Sequence, residues 1–169
     1  MNTVKLSVDI VKSLSTFEVA TYFALLTTMD NTGHSKVMIN DIAAILGTSN
    51  ITGKHFRSFA ERNIIKIEKK KSELGQWIQN YYTYEIPTER YIEIDKSLLD
   101  LNITPMQLGT LIKLKAYTVI YTNDIPYMIT YLCLTLGINK EALKELIRKG
   151  IVEELDYGFR LVDDLIFKV

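Results

Sequence analysis

Residues 39–64, INDIAAILGTSNITGKHFRSFAERNI, read as a helix, a tight turn, a second helix and the start of a strand. Asn40 has the chemistry of an N-cap, and Ile42, Ile45 and Leu46 then recur at helical spacing. Gly47 stops that run where a left-handed residue is needed. Thr48, Ser49 and Asn50 form the turn. The next helix, over 51–62, sets Phe56, Phe59 and Ala60 inward. Residues 139–154, NKEALKELIRKGIVEE, repeat the second half of this pattern. Phe56, Phe59, Asn63 and Ile64 match Leu143, Leu146, Gly150 and Ile151 at a constant offset of 87.

Working outward, both halves start their leading helix with the same local chemistry. Ser15 and Glu18 make a capping box over a helix of 16–29, with Leu14 and Val19 as the hydrophobic staple. Thr104 and Gln107 do the same over 105–121, with Pro105 at the first helical position and Ile103 and Leu108 as the staple. Lys36 to Met38 reads as a short strand. Ile64 to Glu68 and Trp77 to Ile86 are strand-like, and the polar KKKSELGQ between them reads as a hairpin tip. In the second half YIEID (91–95) alternates like a strand, 127–136 reads as a helix ending at Gly137, and Asn139 caps the last helix. Ile151–Leu155 and Phe159–Val162 then form a short hairpin, and the tail DDLIFKV is expected to pack back or pair with another chain. Helix, turn, helix and hairpin make a winged helix-turn-helix unit. The expected fold class is mainly α with small β wings (α+β), two tandem units divided at 1–88 and 89–169.

A chain of 169 residues with 47% apolar and 24% charged residues can build such cores. No apolar run approaches the roughly 20 residues needed to cross a bilayer. The N-terminus mixes charge into its apolar residues, unlike a signal peptide. The single cysteine, Cys133, excludes an internal disulfide and reads as a small buried hydrophobe. A cytoplasmic protein with no membrane partner is expected. Formal net charge is +0, which argues against strong non-specific polyanion binding. Residues 1–90 carry 11 Lys/Arg against 9 Asp/Glu, and residues 91–169 carry 9 against 11.

The outward positions of helix 51–62 are Asn50, Thr52, Lys54, His55, Arg57 and Ser58, with Arg62 one turn later. Arg and Lys can pair with guanine edges, Asn with adenine, and Ser or Thr with bases or phosphates. Gly53 removes a side chain where the backbone could approach a duplex. Lys69, Lys70 and Lys71 at the hairpin would sit on phosphates. The blander readings are a solvated hairpin tip, a solubilised helix face and a structural His55. In the second half Lys54, Arg57 and Ser58 become Glu141, Lys144 and Glu145, and its hairpin EELDYG is acidic. Acidic side chains repel phosphate, so double-stranded DNA is expected at the first unit. The second is expected to bind a second copy, a host or replication protein, or the first unit. Tyr81, Tyr82, Tyr84 and Trp77 are expected to pack rather than stack on bases. Tyr117, Tyr121, Tyr127 and Tyr131 are expected in the core or a dimer interface.

No phosphate-cradling glycine motif occurs, and His34 and His55 have no ligand-spaced partner. Glu153-Glu154 and Asp163-Asp164 are neighbours that a strand would turn to opposite faces. No enzyme, no metal and no cofactor are expected.

LSTFEVATYFALL (14–26) and INDIAAILGTSNITGKHFRSFAERNIIKI (39–67) resemble the winged-helix domains of bacterial, phage and plasmid DNA-binding proteins. They look most like plasmid replication initiators and the N-terminal domains of primosomal replication proteins, and also like many repressors. The resemblance covers 4–86 well and 91–162 in outline. It implies that the third helix reads the major groove and the hairpin touches backbone, which carries over to 50–62 and Lys69–Lys71. Glu141 and Glu145 depart from that pattern. The expected function is a sequence-specific double-stranded DNA-binding transcriptional regulator, repressor-like and homodimeric. The alternatives are a plasmid or phage replication initiator or primosome protein, and an interaction module that inhibits a host protein.

Overall fold

A computed structural model describes residues 2–71, 73–75, 77–119 and 122–162. The expected mainly α class is corrected: among the described residues seven α-helices share the fold with three small antiparallel sheets, so the architecture is mixed. The first half runs β1 (Thr3–Ser7), α1 (Val8–Ser13), α2 (Thr16–Thr27), β2 (His34–Ser35), α3 (Ile39–Ile45), α4 (Gly53–Glu61), β3 (Lys66–Lys71) and β4 (Ile78–Thr83). The second runs β5 (Tyr91–Asp95), a 3-10 turn (Lys96–Asp100), α5 (Pro105–Lys115), β6 (Asp124–Ile125), α6 (Ile129–Leu134), α7 (Lys140–Arg148), β7 (Val152–Leu155) and β8 (Gly158–Leu161). The order repeats, and so do the sheets: β2-β4-β3 in one half and β6-β8-β7 in the other.

Capping chemistry starts the leading helices where the sequence places it. The Ser15 hydroxyl accepts from the Glu18 N–H, and a Glu18 carboxylate oxygen accepts from the Ser15 N–H. Thr104 and Gln107 make the same reciprocal pair. The side chain of Asn139 accepts from the Ala142 N–H and starts α7. Gly47, Gly137 and Gly150 take φ of 60°, 66° and 71° and end three helices. Other boundaries shift. The short strand is His34–Ser35 rather than 36–38, because Asp30 ties the preceding turn by accepting from the backbone N–H of Thr32 and of His34. The cap of α3 is Met38, whose N–H donates to Asp41, and Asn40 lies inside the helix. Ile45 is exposed rather than inward. Helix α5 ends at Lys115, earlier than expected.

The strand missing from the sequence reading is β1. Its alternating TVKLS pairs antiparallel with YIEID, in the register Val4 to Ile94 and Leu6 to Ile92. A strand must satisfy its backbone groups somewhere, and here the partner lies in the other half. Beneath this ribbon α2 crosses α5 at small residues. A Cβ built on Gly109 would meet the Thr16 carbonyl oxygen at 1.8 Å. The two backbones therefore touch, which only glycine permits at that place. Lys113 on α5 is buried and donates through Nζ to the Leu14 carbonyl at 2.7 Å. One hydrophobic core runs through both halves, from Leu6, Tyr22 and Phe59 to Leu111, Leu146 and Phe159.

Candidate nucleic-acid interface

Helix α4 is held by aromatic packing. The Phe56 ring lies 5.5 Å from Tyr82 and 6.2 Å from Phe59, and Tyr22 meets Phe59 at 6.1 Å and Tyr84 at 5.8 Å. Fully burying a phenylalanine is worth about 1.5–3 kcal/mol. This cluster fixes which face of α4 looks outward. It also answers for Tyr82 and Tyr84, which pack in the core; Trp77 does not, being 49% exposed.

The outward face carries Lys54 and Arg57 on the first turns of α4, with Asn50 and Thr52 in the approach to it; all four are exposed. Among the described residues, neither the Lys54 nor the Arg57 side chain has a hydrogen bond or ion pair, so both charges are free. Ser58 is half-buried beside them. His55 is engaged instead. Its Nδ1 accepts from the Thr52 N–H at 3.2 Å, closing the start of the helix, and its ring lies 5.5 Å from Phe17. Gly53 is not forced: an added Cβ would meet only Ile39 Cδ1, at 3.5 Å.

Arg62 does not join this face. Its guanidinium donates to the Ser13 carbonyl at 3.0 Å and the Ser13 hydroxyl at 3.1 Å, and sits 3.6 Å from Glu18. It ties the end of α4 to the α1–α2 corner. The repeat carries the signal that finds this. Lys149, which stands 87 residues later, donates to the Asn102 carbonyl at 2.7 Å in the same role. A basic residue at this place in both halves makes the same structural tie.

The three hairpin lysines separate likewise. They lie in β3 rather than at its tip, and strand residues alternate faces. Lys69 and Lys71 stand opposite Asn80 and Ile78, on the face that continues from Ile67 and Tyr82. Phe56 packs on Tyr82, so this is the side on which α4 lies. Lys70 points the other way, 2.7 Å from Glu68 and over the Tyr81 ring. The hydrogen bond to Lys70 holds the Glu68 carboxyl below its ordinary range and Lys70 above its own.

On the corresponding helix of the second half, two cations are paired to acids of their own helix. Lys144 pairs with Glu141 at 3.4 Å, and Arg148 donates twice to one oxygen of Glu145, at 3.1 and 2.8 Å. Glu153 and Glu154 on β7 are exposed. The exposed Met128, Tyr131 and Leu134 form an apolar side of α6. Tyr117 meets Tyr127 edge-on at 6.5 Å, and Tyr127 stacks on Tyr131 at 5.2 Å. Cys133 is half-buried rather than buried, and burial raises its thiol pKa. Tyr121 and the 163–169 tail, including Asp163-Asp164, lie outside the described residues. Among the described residues no His/Cys/Asp/Glu group could hold a metal ion, and no helix is long and apolar enough to cross a membrane. No protein-family model, no curated protein and no solved structure matches this chain.

Proposed function

We propose that this protein is a sequence-specific double-stranded DNA-binding regulator that acts by occupying an operator. Helix α4 enters the major groove, in the manner the winged-helix resemblance implies. Asn50, Thr52, Lys54 and Arg57 meet base edges and adjoining phosphates, and Lys69 and Lys71 meet backbone. The observation that carries the reading is the free charge of Lys54 and Arg57 beside two lysines of the same side, against α7, where Lys144 and Arg148 are paired to Glu141 and Glu145. His55, Arg62 and Lys70 support the fold rather than the contact. The second half carries the partner role, with the apolar side of α6 as the contact of a homodimer.

The test is binding of the wild type and the Lys54→Ala/Arg57→Ala variant to fragments of the gene's own locus across a salt series. Site-selective binding weakened by about 1–3 kcal/mol per lost base contact supports the reading. Weak binding that is indifferent to sequence and to the substitutions overturns it.

A further inference from the structure

The two halves differ most where their hairpins turn. In the second half Leu155 pairs with Gly158, so only Asp156 and Tyr157 form the turn. In the first half the last pair is Lys71 with Ile78, and the longer tip between them includes the described residues 73–75 and 77. That tip and its adjoining strand end carry Leu74, Trp77 and Ile78, which are 75%, 49% and 68% exposed. Three large apolar side chains at a hairpin end do nothing for the core. They stand beside lysines: Lys71 lies directly opposite Ile78, and Lys69 lies two residues back on the same face. The acid of the tip, Glu73, is neutralised by Lys36 at 3.2 Å. The end of this hairpin is thus apolar at its centre and cationic at its edge. The four strand residues past the Ile67–Tyr82 pair, at about 3.3 Å each, carry it roughly 13 Å beyond the core.

We infer that the Leu74–Trp77–Ile78 tip inserts into the minor groove beside the site read by α4, unstacks a base step there and bends the duplex. This rests on the DNA reading above. Apolar wedges between base steps are a recurrent means of kinking DNA from the minor groove, and lysines on the flanking phosphates hold the bend. Polyanion chemistry explains why the long tip belongs to the half with the free cations. A flexible pyrimidine–purine step in the flank is the preferred point of insertion.

Trp77 is the one tryptophan of the chain, so its emission reports the tip directly. The experiment titrates the full chain with a duplex carrying the site, following acrylamide quenching of Trp77 and energy transfer between dyes on the duplex ends. DNA is expected to shield Trp77 and to bring the ends together. Trp77→Ala is expected to weaken binding by about 5- to 150-fold, the range for loss of one aromatic–base stack. Leu74→Ser, at a side chain already exposed, is expected to reduce the bend while the α4 footprint persists. Binding that depends on Lys54 and Arg57 but leaves Trp77 as accessible as in the free protein overturns the wedge and spares the DNA reading. The same holds for a bend unchanged in both variants. Absence of duplex binding at low salt overturns both, whereas shielding of Trp77 by anionic phospholipid vesicles but not by DNA overturns the wedge alone.

Discussion

Lys5 lies directly opposite Glu93 in the antiparallel β1–β5 ribbon, and Glu93 is its own counterpart in the repeat. Val4, Leu6 and Ser7 correspond to Ile92, Ile94 and Asp95 at an offset of 88, and Ser7 and Asp95 both cap the helical turn that follows. A position that faces its own counterpart is what a two-fold axis produces. The two halves therefore meet here as two subunits of a symmetric dimer would. At the α2–α5 crossing Gly109, the counterpart of Ala20 at an offset of 89, meets the Thr16 carbonyl.

That crossing tolerates no added atom. Gly109→Ala is expected to lower stability by about 1–3 kcal/mol, the usual range for an overpacked contact. Gly53→Ala has ordinary space and is expected to stabilise α4 by about 0.5–1 kcal/mol. Thermal melts of both variants check the pair, and a rise in Tm for Gly109→Ala would contradict the contact. If the α4 backbone approaches DNA at Gly53, the same variant gains stability and loses affinity.

Arg62 and Arg57 stand on one helix and are expected to fail differently. Arg62→Ala loses the bonds to Ser13 and destabilises by about 1 kcal/mol, discounted because the side chain is 36% exposed. Its DNA affinity at a temperature well below the melt is expected to be near wild type. Arg57→Ala is expected to leave stability alone and lower affinity. Denaturant melts and anisotropy titrations on the same preparations separate the two.

The salt dependence of DNA binding reads the lysines one by one. Each phosphate contact contributes about 0.9 to the slope of log K against log salt. The double variant Lys69→Ala/Lys71→Ala is expected to lower the slope by about 1.8. Lys70→Ala is expected to leave it unchanged, because Lys70 faces away and is held by Glu68. An equal effect of all three would overturn the division of the strand into two faces.

Hydrogen bonds from the Thr32 hydroxyl and from the N–H groups of His34 and Thr32 lower the Asp30 pKa from 3.8 to about 2. A depressed folded pKa means stability that is present above the unfolded value and is lost as pH falls through the folded one. The Asp30–His34 turn is therefore expected to loosen between pH 3.8 and about 2. Asp30→Asn keeps an acceptor but cannot titrate, and is expected to flatten stability against pH in that window. Hydrogen exchange at the Thr32 and His34 amides follows it locally.

What was legible in the sequence was local. Ser15 with Glu18, Thr104 with Gln107, Asn139 and the glycine stops act within one turn of chain, and each is found where its chemistry put it. Phe56 and Phe59 follow helical spacing into the core. What was not legible depends on partners distant in sequence. β1 is a strand because of residues 91–95, and Lys70 is turned away by the pleat of β3. The mainly α reading failed for that reason, since paired strands are made by remote pairing. The tie from Arg62 to Ser13 is not legible because the partner lies 49 residues back. Strand aromatics usually pack, yet Trp77 stands past the last pair of the hairpin.

The repeat joined across Lys5 and Glu93 has one consequence for any duplex it reads. A dimer of identical chains must carry every substitution twice, and its site reads the same from either end. Here each half is written once, so free lysines and self-paired acids sit on opposite sides of one joint. On the proposed reading, each protomer lies on its half-site with a front and a back, and that half-site has a direction.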